Sequence, residues 1–113
     1  MDMEQTFQAT LGALPCPVSK PPADGRNESY VAFVEVLGTF DGYASNEPRR
    51  LVHMVQVHAY SKRDDGYHRT LLTEAIELMR AAGIRVRSYG PDDYEKDTGY
   101  HHIAITCEWT ENV

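Results

Sequence analysis

The feature that most constrains this chain is an amphipathic helix set between two stretches of alternating residues. Leu71, Leu72, Ala75, Ile76, Leu78, Met79 and Ala82 form one broad apolar stripe at helical spacing, with Thr73, Glu74, Glu77 and Arg80 on the other side. The spacing predicts a helix over about residues 67–82, N-capped by Asp64 or Asp65. Gly83 falls where a left-handed residue ends a last turn. Before the helix, Leu51, His53, Val55, Val57 and Ala59 alternate with Val52, Met54, Gln56, His58 and Tyr60, which predicts a strand whose first set faces the helix. After it, residues 84–89 and 100–109 alternate as two strands of a hairpin, with Arg85, Arg87 and Glu108 on its solvent face. The hairpin connection carries Asp92, Asp93, Glu95 and Asp97 and reads as a long acidic loop.

Upstream, Val31, Phe33, Val34 and Val36 predict a strand over residues 29–37, apolar on both faces apart from Glu35. Met3, Phe7, Leu11 and Leu14 predict a short helix within residues 2–14, stopped by Pro15 and Pro17. Residues 15–28 read as a Pro-rich loop, and Gly38–Arg50 as the longest break inside the fold. The fold expected is therefore α+β: a four-stranded, mainly antiparallel sheet in the order β-β-α-β-β, packed on one main helix, with a short N-terminal helix. A right-handed crossover places the last strand between the second and third. The opposite face of the sheet then needs the N-terminal helix or another subunit to cover it. With 113 residues the chain suits one domain, residues 1–113, divided into the N-terminal helix and loop (1–28) and an α/β core (29–109).

Composition narrows the chemistry. A formal net charge of −6 is the opposite of what a free-standing nucleic-acid binder carries, so no specific nucleic acid is expected. No apolar run approaches the ~20 residues of a membrane span, and Met1-Asp2-Met3-Glu4 has no signal-peptide start. Synthesis in a host cytoplasm with reduced thiols is the expectation. His101 and His102 are adjacent, and His53 and His58 are five apart, so each pair points to opposite faces of an extended strand; no metal is expected. Asp93, Glu95 and Asp97 alternate, but Gly99 is misplaced for a calcium loop and the later Glu is missing, so a solvated acidic turn is expected. The serines carry no nucleophile elbow, and Cys107 alternates with Ile105 and Trp109 as a buried hydrophobe, while Cys16 reads as a loop thiol. No enzyme activity and no cofactor are expected. The short basic pairs Arg49-Arg50, Lys62-Arg63 and Arg85/Arg87 read as solvated surface, with ion pairing of the acidic 92–97 loop to arginines of a neighbouring subunit as the alternative.

Four segments in order resemble one family. They are Tyr30-Val31-Ala32-Phe33, the strand Met54–Lys62, the helix end Met79-Arg80-Ala81-Ala82-Gly83-Ile84, and the hairpin Asp93–His102. Across about residues 29–109 the chain is similar to the tail terminator, or tail-to-head joining, proteins of long-tailed phages and prophages. His58 stands where that family commonly has an acidic residue. The resemblance implies a lambda-terminator-like fold and a non-enzymatic virion protein at the tail–head interface. Such a subunit forms a ring, a hexamer, on the tail tube, ends tube polymerisation and joins tail to head. The partners implied are further copies of the chain, the tail tube protein and a head–tail connector protein. Candidate subunit and tube contacts are Asp41, Tyr43, Arg49, Arg50, Arg85, Arg87, Asp93, Glu95 and Asp97. Two other readings stand beside it. One is a head-completion or neck protein. The other is a small ligand-binding domain using His53, His58 and His102 beside Tyr60, which a pocket with converging polar groups would favour.

Overall fold

The computed structural model describes residues 2–19, 27–42 and 50–112. In chain order the elements are α1 (Met3–Leu11), β1 (Val18–Ser19), β2 (Ser29–Asp41), β3 (Arg50–Ser61), α2 (Tyr67–Ala81), β4 (Arg85–Glu95) and β5 (Tyr100–Asn112). They form an α+β fold with one mixed sheet in the order β1-β2-β3-β5-β4. The sheet has five strands where four were expected. The extra one is β1, which pairs parallel with β2 at Val31 and Ala32 and brings the Val31 amide to the Pro17 carbonyl at 2.9 Å. The remaining neighbours are antiparallel.

α2 forms where its apolar stripe demands, and its ends differ in quality. Gly66 (φ 81°) is the N-cap and offers no side chain. Asp65, one residue earlier, accepts from the Tyr67 amide at 3.2 Å, while the carboxylate of Asp64 accepts from His101. At the other end Gly83 (φ 80°) donates to the Arg80 carbonyl and Ile84 to the Met79 carbonyl. That is the six-to-one and five-to-two pattern of a helix closed by a left-handed glycine, with Ile84 and Met79 both buried beside it. α1 starts on an Asp2–Gln5 capping box. It ends at Leu11, ahead of the prolines expected to stop it, and Leu14 stays buried through a turn onto the Leu11 carbonyl.

One core holds the layers together. Met3, Phe7, Leu11 and Leu14 pack with Leu71, Leu72, Ala75 and Met79 over Val31, Phe33, Val55, Val57, Ile103, Ile105 and Cys107. Phe7 stacks on Phe33 at 5.9 Å between centroids. Both helices therefore lie on the same face of the sheet. The expectation that α1 might cover the opposite face fails, because its apolar side is spent on Phe33 and α2. Among the described residues the opposite face has a small apolar cluster of its own, Tyr30, Ala32 and Tyr100 with Tyr60 against them.

Three strands run further than expected, β5 among them, which continues past Trp109 to Asn112. β2 continues past Leu37 to Asp41, with a bulge between Glu35 and Leu37. This takes Gly38–Asp41 out of the expected loop; residues 43–49 of that loop lie outside the described residues. β4 runs through Pro91-Asp92-Asp93 to Glu95, so the expected long acidic loop is mostly strand, closed by a tight turn in which the Gly99 amide donates to the Glu95 carbonyl at 2.8 Å. Asp92 explains the difference: it is anchored to α2, accepting from His68 at 2.9 Å and Arg69 at 2.8 Å.

Candidate assembly surface

Beyond the helices the sheet projects as a three-stranded arm. Its rows are Gly38–His53–Trp109, Thr39–Val52–Thr110, Phe40–Leu51–Glu111 and Asp41–Arg50–Asn112, with β3 in the middle. β4 begins one row short of it, at Arg85 opposite Glu108. The molecule is 53 Å long but only 25 × 23 Å across, as such a projection requires. Phe40 in the arm is 60% exposed, and Val36 and Leu37 at its root are 50% and 57% exposed; Leu37 pairs with Met54 and Phe40 with Leu51, so these two point to opposite faces of the sheet.

The root of the arm is pinned by a three-strand cluster. His53 is 8% exposed, in a row otherwise turned to the core. Its Nδ1 lies 3.1 Å from Glu35 on β2 and its Nε2 lies 3.0 Å from Glu111 on β5, while Trp109 stacks on the ring at 5.5 Å. Gly38 makes room for this: a Cβ there would stand 2.8 Å from the Glu35 oxygen that meets His53. Sequence reasoning singled out Glu35 as the polar exception of its strand but missed the cluster. Its members come from three strands, and Glu111 lies 58 residues from His53.

The face of the sheet away from the helices carries a second polar group. His58 Nδ1 meets His102 Nε2 at 2.6 Å, Tyr60 lies flat on His102 at 4.3 Å, and Tyr60 in turn stacks on Tyr30 at 4.5 Å. Tyr100 closes this row edge-on and its hydroxyl donates to the Asn27 carbonyl. Burial lowers the pKa of both histidines, helped at His58 by the second ring; at His102 the charges of Glu95 and Asp93 pull the other way without reversing it. Burial, then Glu95, raises the Tyr60 hydroxyl. A histidine whose pKa is lower folded than unfolded costs stability once the unfolded chain takes up its proton. The stability contributed by this pair is therefore intact above about pH 6.5 and lost as pH falls below it. Urea midpoints should fall on acidification more steeply for the natural chain than for a His58→Gln/His102→Gln variant. Parallel curves would remove the pair from the pH response.

The structure separates the residues expected to make contacts. Asp41 and Arg50 form a 3.0 Å ion pair across neighbouring strands at the far row of the arm. Tyr43 and Arg49 lie outside the described residues. Arg85 and Arg87 sit near the arm's root, and Arg87 is bound at 3.0 Å to Glu108 of its own chain. Asp93, Glu95 and Asp97 lie at the opposite end of the sheet. There Asp93 accepts from the Tyr94 amide at 2.8 Å, and Glu95 approaches His102 at 3.9 Å. The described ones do not form one site.

Among the described residues no three His, Cys, Asp or Glu side chains are grouped to hold a metal, and no helix is long and apolar enough to cross a membrane. Both cysteines are free; burial pushes the Cys107 thiol up to about 12 and, with Glu74, that of Cys16 up to about 11. Asp92 would be raised by its burial, but the bonds from Arg69 and His68 outweigh this and hold it below the usual carboxylate range. An open cleft of about 470 Å³ beside α1 is lined by Glu4, Gln5, Gln8, Ala9 and Phe33, and another of about 390 Å³ lies around Cys16, Arg63 and Tyr67. Neither includes His53, His58, His102 or Tyr60.

No family model matches the chain, and no curated protein matches it. Among solved structures, the gp17 protein of bacteriophage SPP1 is similar over 96% of this chain and 88% of that chain, with a TM-score of 0.58 and 12% identity. At so low an identity the likeness is one of fold, and the α+β fold built here from one-sided helices and an extended sheet is shared with that phage protein.

Proposed function

We propose that this chain is a structural subunit of a phage virion. It forms a ring, a hexamer, on the end of the tail tube, stops tube polymerisation and joins the tail to the head. It works without catalysis, metal or cofactor, and its partners are its own copies, the tail tube protein and a head–tail connector protein. The observation that carries this reading is the one-sided fold. Both helices cover one face of the sheet, while the other face and the apolar arm have no cover within the described chain. The fold likeness to a phage protein and the four resembling segments support the same reading. A small domain with surface left over gains stability by burying it on assembly, and a head-to-tail contact that closes generates a ring. Arg85 on one region and Asp93, Glu95 and Asp97 on another would make contacts between copies and to the tube, and Arg50 and Arg87 would have to exchange Asp41 and Glu108 of their own chain to join them.

A phage stock from which this chain has been deleted tests the reading. Lysates should contain free heads and tails of uncontrolled length, and purified protein added to short, uncapped tails should restore joining. Tails of normal length with no defect in joining would refute it.

A further inference from the structure

The arm has two strand edges at the same height that no described strand covers. On one side β1 pairs with β2 only at Val31 and Ala32, so the outer edge of Gly38–Asp41 has no partner strand among the described residues. On the other side β4 first meets β5 at Glu108, so the outer edge of Trp109–Asn112 has none either. Gly38, Thr39, Phe40 and Asp41 share rows with Trp109, Thr110, Glu111 and Asn112 through β3, so neither edge is displaced along the arm. At about 3.3 Å per residue each edge offers some 13 Å of backbone donors and acceptors.

The β2 edge up to Phe40 is unlike the outer edge of β4. That strand carries Arg85, Arg87, Asp92, Asp93, Pro91 and two register breaks, the features by which proteins refuse an added strand. The run Val36-Leu37-Gly38-Thr39-Phe40 has neither charge nor proline, and it is exposed. An edge left open in a chain that guards its other one is an edge meant to be paired.

We propose that neighbouring copies pair through their arms, Trp109–Asn112 of one copy lying beside Gly38–Asp41 of the next. β2 and β5 both run antiparallel to β3, so copies related by rotation about an axis along the arm meet there in parallel register. The two edges lie in the same rows, so the edge of one copy can reach that of the next around the axis, and a head-to-tail contact whose rotation closes generates a ring. Three strands from each copy then close a barrel around the axis, which leaves no open edge at that level. This rests on the ring reading and deepens it by naming the contact.

Thr39 and Thr110 share one row and one face of the arm, which makes the junction testable by cross-linking. Copies carrying both Thr39→Cys and Thr110→Cys, on a Cys16→Ser background, are allowed to assemble on tail tubes and treated with a short bis-maleimide. Cys107 is buried and its thiol, pushed up to about 12, stays unreactive. A ladder of covalent products ending at the ring size is expected, with no products from either single variant and dimers alone from an equal mixture of the two singles. Rings seen by electron microscopy with no ladder would overturn the arm contact and leave the ring standing. Dimers from Thr39→Cys alone would show two-fold pairing and overturn it as well. Tubes without rings would overturn the reading on which it rests.

Discussion

Phe33→Ala lowers the stability of the free protein by about 3–5 kcal/mol, whereas Phe40→Ala on the same strand changes it by no more than about 0.5 kcal/mol. Phe33 is 1% exposed and lies where α1 meets the sheet, with its ring against Phe7. Truncation there removes the apolar surface of the ring and leaves a cavity bordered by two elements. Phe40 stands seven residues later on the same strand, past the bulge, and is 60% exposed. Paired urea titrations of the two variants measure the contrast. A loss at Phe40 as large as that at Phe33 would mean that the arm is already packed in the free protein.

The second large effect belongs to His53. His53→Ala should cost about 1–3 kcal/mol, because Glu35 and Glu111 lose the ring that bridges them and two partly buried carboxylates are left on either side of the gap. Glu111→Gln keeps an oxygen in place and should cost less. The damage should be local: amides of Gly38–Asp41 and Trp109–Asn112 exchange faster, while those of α2 and of β3 beyond Val55 keep their protection. Because Glu35, His53 and Glu111 act as one unit, the losses for His53→Ala and Glu35→Ala should not add in the double variant. Additive losses, or unchanged exchange in the arm, would show that the cluster does not pin it.

The parts of this fold that periodicity governs were legible in advance. α2, β3 and the alternating halves of β4 and β5 follow from stripes that fit one period each, and Gly83 marks its helix end by a conformation that side chains rarely adopt. What was not legible depends on partners distant in sequence. β1 has two residues and no period to detect; only Val31 and Ala32 make it a strand. The Pro91-Asp92-Asp93 stretch has the composition of a loop, and it is extended because His68 and Arg69 hold Asp92. α1 has an apolar side that either face of the sheet would accept, and the Phe7–Phe33 stack decides which. For the candidate surface, the acidic and basic residues were visible as types, but their division between the arm and the far end of the sheet was set by register alone. The Glu35–His53–Glu111 cluster left no mark in local sequence beyond one acidic residue in an apolar strand.

Electron microscopy of the purified protein mixed with its phage's tail tubes tests the central claim most directly. The account predicts a ring at one end of each tube and tube lengths that stop growing once the ring is present. Tubes that stay bare and keep elongating, with the protein bound instead to head connectors or to neither partner, would contradict it.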